Sequence, residues 1–203
     1  MKKLLIPALL SCIGSANASP LLDETFDPIT PSVWSISGGS VQGAGNPEFY
    51  DDNALRFSGS GTRSANTIGY DLSSGGDLNF RLKLGGPNDT SLFENMDSGE
   101  DVILNYSTNG GTSWTNLFTF DTENLSYRDT WGLASFTISG AIATANTMFQ
   151  WIQARHSGSR YDHWAIDNVS ISNNVSSVPE PASLALLGLG LAGIRFSRKK
   201  KTA

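Results

Sequence analysis

Between Leu21 and Ser172 the apolar side chains come in short alternating runs separated by Gly, Asn, Asp and Ser, and no helical period persists. Alternation of period two puts one face of a strand into a core and the other into water. The strongest runs are Leu78, Phe80, Leu82 and Leu84; Val102, Leu104 and Tyr106; Trp114 to Phe120; Phe136 and Ile138; Phe149 to Ile152; and Trp164 to Ile171. Weaker runs cover Leu22 to Phe26, Val33 to Ile36, Ala54 to Phe57 and Thr67 to Leu72. About eight to ten antiparallel strands joined by glycine-rich turns must pair into two packed sheets to bury their apolar faces. The sharpest turn signal is Asn109-Gly110, because a tight hairpin needs positive φ where Asn and Gly tolerate it.

The two ends follow a different pattern. Lys2 and Lys3 precede an apolar run from Leu4 to Leu10, and Ala16 and Ala18 supply small residues two apart. That is the pattern of a secretory signal peptide cut by signal peptidase between Ala18 and Ser19. At the other end, Val178-Pro179-Glu180-Pro181 leads into an apolar stretch from Ala182 to Ile194 and then Arg195, Arg198, Lys199, Lys200 and Lys201. A stiff linker, an apolar segment and a positive stop read as a single membrane-spanning helix with its basic end in the cytoplasm. Thirteen residues at a rise of ~1.5 Å reach roughly 20 Å, and Phe196 with a snorkelling Arg195 extends the span. The organisation expected is a signal peptide over 1–18, a β-sandwich over 19–174, a linker over 175–181 and the anchor with its tail over 182–203.

Composition narrows the function. The chain has 203 residues, 16% charged and 39% hydrophobic, with 21 Gly and a single Cys. The roughly 160 residues between leader and tail suffice for one domain that buries about 70% of its unfolded surface. Cleavage after Ala18 removes Cys12, so no disulfide is expected outside the cell. Residues 19–177 carry seven Lys or Arg against eighteen Asp or Glu, a net of −11. Such a domain repels polyanions, which excludes nucleic acid as a partner and leaves divalent cations and neutral glycans. An acidic surface also serves solubility alone.

Catalytic signals are absent from the pattern. His156 and His163 have no nearby nucleophile motif, zinc spacing is lacking, and no phosphate-binding glycine loop opens a helix. Asp97-Ser98-Gly99-Glu100-Asp101 lacks EF-hand spacing. Trp131, Tyr127, Tyr161 and Trp164 are candidates for flat exposed faces against sugar rings, while Trp114 and Trp151 are expected in the core. Alternation puts Asp167 on the same side as Ala165, Val169 and Ile171. A buried lone carboxylate costs several kcal/mol, so Asp167 needs a cation, a proton, backbone amides at a bulge, or an arginine such as Arg155 or Arg160.

Three stretches resemble known families. VPEPASLALLGLGLAGIRFSRKKK resembles the PEP-CTERM sorting signal of Gram-negative bacteria. The resemblance implies recognition by an exosortase, a membrane transpeptidase that delivers its substrate to the envelope, surface or exopolysaccharide. Ser107 to Trp114 resembles an Asp-box, with Asn109 in the usual Asp place, which implies a structural hairpin. The last strand, Asp162-His163-Trp164-Ala165-Ile166-Asp167-Asn168-Val169-Ser170-Ile171, resembles the closing strand of reelin-type and MAM-type jelly rolls, and Phe26-Asp27 followed by Trp34 resembles their first strand. This third likeness implies an all-β, single jelly-roll sandwich holding a structural Ca²⁺. Its ligands would be Asp27 and Asp167, with Asp52 as a third and Asp51 able to replace it; the family often has Glu where Asp27 stands.

The expected function is that of an exported, non-enzymatic adhesion or polysaccharide-binding module at the cell surface or in a biofilm matrix, its partners being the membrane, exopolysaccharide or a surface protein. A carbohydrate-active enzyme on the same scaffold and a purely structural matrix protein are the alternatives, since fold alone does not fix function. Deleting residues 178–203 should release the domain from cells into the medium, measured by immunoblot of the two fractions; full cell retention would reject the sorting role.

Overall fold

The computed structural model describes residues 20–43, 45–88 and 91–174, all within the compact unit Ala18–Asn174. The signal peptide, its cleavage residues Ala16, Ala18 and Ser19, the Val178–Pro181 motif, the apolar segment and the basic tail lie outside the described residues. Among the described residues no helix is long and apolar enough to cross a membrane.

The described chain is all-β apart from one 3₁₀ turn at Pro31–Val33. Its strands are β1 (Leu22–Glu24), β2 (Trp34–Ser37), β3 (Gly39–Gly43), β4 (Asn53–Phe57), β5 (Arg63–Thr67) and β6 (Gly76–Leu84). They continue with β7 (Val102–Ser107), β8 (Thr115–Phe120), β9 (Gly132–Ile138), β10 (Met148–Gln153) and β11 (Trp164–Asn173). One sheet runs β3-β4-β11-β6-β9 with β1 also on β11; the other runs β2-β5-β10-β7-β8. All these pairings are antiparallel.

The alternating runs explain the core between the sheets. Leu78, Phe80, Leu82 and Leu84 are fully buried, and Phe80 meets Trp151 of the facing sheet edge-on at 5.1 Å. Trp151 in turn lies 5.9 Å from Trp34. Burying such aromatics supplies most of the driving force for a domain without a disulfide.

Three expectations change. β3 was not foreseen, because Gly39-Ser40-Val41-Gln42-Gly43 has one apolar residue and forms an edge. β5 begins at Arg63 rather than Thr67, since its inward positions are Arg63, Ala65 and Thr67, a polar set that hides the alternation. Trp164 is fully buried and stacks on Phe57 at 3.9 Å, so it offers no face to a sugar.

The largest correction concerns β11. Trp164 to Asp167 pairs with Leu84 to Arg81, and Ser170 to Asn173 with Asn79 to Gly76, with a register shift between. Before the shift Trp164 and Ile166 enter the main core; after it, Val169 and Ile171 do. Asn168, at φ +48°, absorbs the change of parity. Asp167 therefore lies with Ala165 on the outer side of the sheet, not with Val169 and Ile171 on the core side. The opposite edge of β11 changes partner at the same place, from β4 at Trp164–Ile166 to β1 at Val169–Ile171.

A left-handed backbone penalises β-branched residues and suits Gly or Asn. Asn168→Val should lose about 1–2 kcal/mol in urea denaturation under chelator, whereas Asn168→Gly should stay within about 1 kcal/mol of wild type. Equal losses from both would show that the side chain, not the backbone angle, matters there.

Candidate functional site

Where β1, β4 and β11 meet, a cleft of about 550 Å³ is lined by Thr25, Asp27, Asp51, Asp52, Asn53, Asp167 and Asn168. The three sequence candidates, Asp27, Asp52 and Asp167, thus fall in one place, and Asp51 joins them. The change of partner along β11 opens the gap, and the ends of β1 and β4 carry the acids to its rim.

Asp167 is only 1% exposed. Its Oδ1 accepts the Asn168 N–H at 2.7 Å, while its Oδ2 is buried with no hydrogen-bond partner among the described residues. Burial pushes this carboxyl up to about 7, and the negative charge of Asp51 adds to the shift, against the Asn168 N–H and the Arg81 guanidinium. The bulge and its backbone amide, one alternative weighed for Asp167, are thus present but satisfy a single oxygen. Arg81, the cross-strand partner of Asp167, is the cation acting on it, in place of Arg155 or Arg160. Asn53 Nδ2 donates to Asp27 Oδ1 at 2.9 Å and Asn168 Nδ2 to Asp51 Oδ2 at 3.2 Å, so amides orient two of the three exposed carboxylates.

Glu24, which sequence reasoning passed over, positions this edge. Buried at the end of β1, it accepts Phe26 N–H at 2.8 Å, Thr30 N–H at 2.9 Å and Trp34 Nε1–H at 3.1 Å. Those bonds shape the loop that carries Asp27. Its signal was its place two residues after Leu22 on the inward face of a short strand.

A second acidic group was also missed. Asp97, Glu100 and Asp162 bring one carboxylate oxygen each within 4.8 Å of one another. Among the described residues this trio, rather than the cleft, has the closest-set acids. Its members are tied to the protein: Ser157 N–H donates to Asp162 Oδ2 at 2.5 Å, Ser157 Oγ to Glu100 Oε1 at 3.0 Å and Asp97 N–H to Glu100 Oε2 at 3.2 Å. Beneath it the fully buried Arg63 donates to the carbonyls of Gly59, Gly158, Tyr161 and Asp162 and to Gln153 Oε1.

The histidines have structural surroundings. His163 is buried; its Nδ1 lies 2.8 Å from an Arg56 guanidinium nitrogen and its Nε2 3.2 Å from Ser159 O. With Nδ1 as acceptor from Arg56, Nε2–H donates to Ser159. Burial and then the Arg56 charge lower the His163 pKa. His156 places Nε2 2.9 Å from Gly61 O and accepts Gly158 N–H on Nδ1 at 3.1 Å.

The remaining aromatic candidates divide. Tyr161 is 47% exposed, Trp131 is half-buried with Nε1–H donated to Glu48 O at 3.0 Å, and half-buried Tyr127 packs edge-on against Phe120. Trp114 is half-buried rather than in the core. Tyr50, not foreseen, is 37% exposed under the Arg81 guanidinium at 4.4 Å. The Ser107–Trp114 hairpin is held internally: Asn109 Oδ1 accepts Ser113 N–H at 3.0 Å and Ser107 Oγ accepts Gly111 N–H at 3.0 Å.

Two antiparallel sheets and an acidic cleft at the strand handover define a jelly-roll sandwich. The Reelin subrepeat B model matches residues 38–172, well over half of the chain, and the protein belongs to that family. The PEP-CTERM protein-sorting motif matches residues 177–200, which marks the chain for exosortase processing and for export to the envelope or surface. Among solved structures, the chain is similar to the K3 cleaved adhesin domain of Lys-gingipain from Porphyromonas gingivalis W83, with 15% identity and TM-score 0.54 over 78% of this chain and 100% of that one. It is also similar to the CBM22-1-CBM22-2 tandem domain of Paenibacillus barcinonensis Xyn10C, at 13% identity and TM-score 0.50 over 76% of this chain and 46% of that one. The CBM22-1-GH10 modules of Clostridium thermocellum Xyn10B, complexed with xylohexaose, match at 13% identity and TM-score 0.50 over 80% of this chain and 30% of theirs. At these identities the likeness establishes the fold.

Glu100 is pushed up to about 7 by burial first and by the Asp162 carboxyl second. It keeps its proton in the folded state after the unfolded chain has lost it near 4.5. Stability from this group is therefore complete below the unfolded value, declines as pH rises toward the folded one, and is flat above it. Glu100→Gln should flatten that part of the thermal-midpoint profile between about pH 4.5 and 7; an unchanged slope would remove Glu100 from the titration.

Proposed function

We propose that this protein is a non-enzymatic adhesion or polysaccharide-binding module of a Gram-negative cell surface or matrix, its jelly-roll edge organised by a structural Ca²⁺. The carrying observation is the orphan Oδ2 of buried Asp167 in a cleft with three further carboxylates. A hard cation satisfies such an oxygen and takes six to eight oxygen donors from carboxylates, amides and backbone carbonyls. Asp27, Asp51, Asp52 and Asp167 would hold it, and the ion would tie β1 and β4 to β11 across the gap. Supporting a non-catalytic role, the ring nitrogens of both histidines face backbone or arginine partners. Export through the sorting motif brings the domain into a compartment where calcium is abundant.

Ligand binding to the folded state raises stability by RT ln(1 + [L]/Kd). Millimolar calcium should raise the thermal midpoint by several degrees relative to chelator, an effect of about 3–4 kcal/mol at hundred- to thousandfold saturation. Asp167→Asn, which keeps the shape and removes the charge, should abolish the calcium shift and leave the chelated protein at least as stable as wild type. A calcium shift that survives in Asp167→Asn would overturn the assignment, as would none in the wild type.

A further inference from the structure

The outer faces of the two sheets differ in kind. On the β4-β11-β6 face, Arg56, Lys83, Arg81 and Asp167 alternate with the core residues, and the segments carrying Phe49 and Phe93 pack over part of it. The outer face of the second sheet is neutral, exposed at its edges and more buried toward its middle strand. Ser35 is paired with Asn66, Asn66 with Gln150, Gln150 with Asn105, and Asn105 with Asn116. These five residues form one row across all five strands. They alternate with the buried Trp34, Ala65, Trp151 and Leu104, so they point away from the core. At a strand spacing of about 4.8 Å the row is roughly 19 Å long.

The next outward row repeats the theme: Ser37, Ser64, Ile152, Ile103 and Thr119 are paired in the same order. Neither row contains Asp, Glu, Lys or Arg, although residues 19–177 carry twenty-five of them. Within the first row Asn105 Nδ2 donates to Gln150 Oε1 at 3.0 Å, and Asn66 Oδ1, itself buried, has no hydrogen-bond partner among the described residues. Beyond Gln150 on the same face comes Met148; its side chain and that of half-buried Trp114 both border Gly111.

We infer that this face binds a neutral polysaccharide chain laid across the strands, along the amide row. The inference rests on the proposed polysaccharide-binding role and names its surface. Amide and hydroxyl groups supply both donors and acceptors for sugar hydroxyls, and Ile103, Ile152 and Met148 supply the apolar relief that sugar C–H faces cover. A polyanion is disfavoured because the domain is strongly acidic and the rows hold no cation to neutralise it. A protein partner is disfavoured because the rows lack the aromatic and arginine anchors on which protein interfaces depend.

The test is affinity electrophoresis of the full chain in a polyoxyethylene detergent, through gels containing hydroxyethylcellulose, arabinoxylan or galactomannan, with alginate as the anionic comparison. Retardation is expected in at least one neutral gel and not in alginate. Gln150→Glu should weaken it about tenfold, equivalent to 1.4 kcal/mol. Asn116→Glu, at an exposed position where folding is not at stake, should weaken it in the same direction, and Leu133→Gln on the opposite sheet should leave it unchanged. The inference is overturned by no retardation in any neutral gel, by retardation indifferent to both charge variants, or by a dimer that Asn116→Glu separates. Retardation without a calcium shift would leave this surface standing and remove the calcium reading; a calcium shift without retardation would do the reverse.

Discussion

The arrangement of the domain depends on the central strand β11 having one continuous partner and two successive ones. β6 pairs with it on both sides of the register shift, whereas β4 and β1 share the other edge end to end. Two strands cannot meet head-on along one edge without a gap, and the bulge at Asp167 and Asn168 falls at that gap. A bulge adds a residue and reverses the parity of everything after it. The reversal keeps Val169 and Ile171 in the core and leaves a carboxylate buried on the outer side. The acidic cleft is thus a product of the topology, and Glu24 stabilises its rim by fixing the turn that follows β1.

The same topology assigns different roles to the two outer faces. Sheet positions outside the core are free to be polar, but on the first sheet they are taken up by Arg56, Lys83 and the aromatic rings packed over them. Arg56 lies 5.5 Å and Lys83 4.4 Å from the Phe93 ring, which anchors the intervening segment over the sheet. Those cations hold that face closed. On the second sheet the two rows hold no charged residue at all, in so acidic a domain; Ser35 and Asn116 at the ends of the amide row are exposed, Asn66 and Asn105 are half-buried, and Gln150 between them is buried.

The legible part of the fold was the part whose side chains alternate cleanly. β6, β7, β10 and most of β11 announced themselves through period-two runs of large apolar residues, and the Asn109-Gly110 hairpin through its need for positive φ. β3 and β5 did not, because an edge strand needs little burial and because Arg63 fills an inward position with its guanidinium bound to carbonyls. Asp167 drew notice through alternation, though with the wrong parity, while Asp27, Asp51 and Asp52 were legible only through their likeness to other jelly rolls. Spacing alone could not have joined Asp27, Asp51 and Asp167, which lie far apart in sequence and meet through non-local pairing. Trp164 misled for the opposite reason: parity changes three residues beyond it, so the pattern of the whole run did not reveal which side it faced.

Stability and destination are linked in this chain. Residues 19–177 hold no cysteine, so no covalent staple within them compensates for the gap beside β11, and the buried Asp167 subtracts from stability unless it is protonated or bound to a cation. Protonation serves only up to about pH 7, where the carboxyl ionises. A bound cation of the extracellular medium would remove the penalty by mass action, increasingly as its concentration rises above its dissociation constant. The edge joining β1, β4 and β11 would then be completed after export, and the domain would reach full stability in the compartment to which its sorting motif sends it.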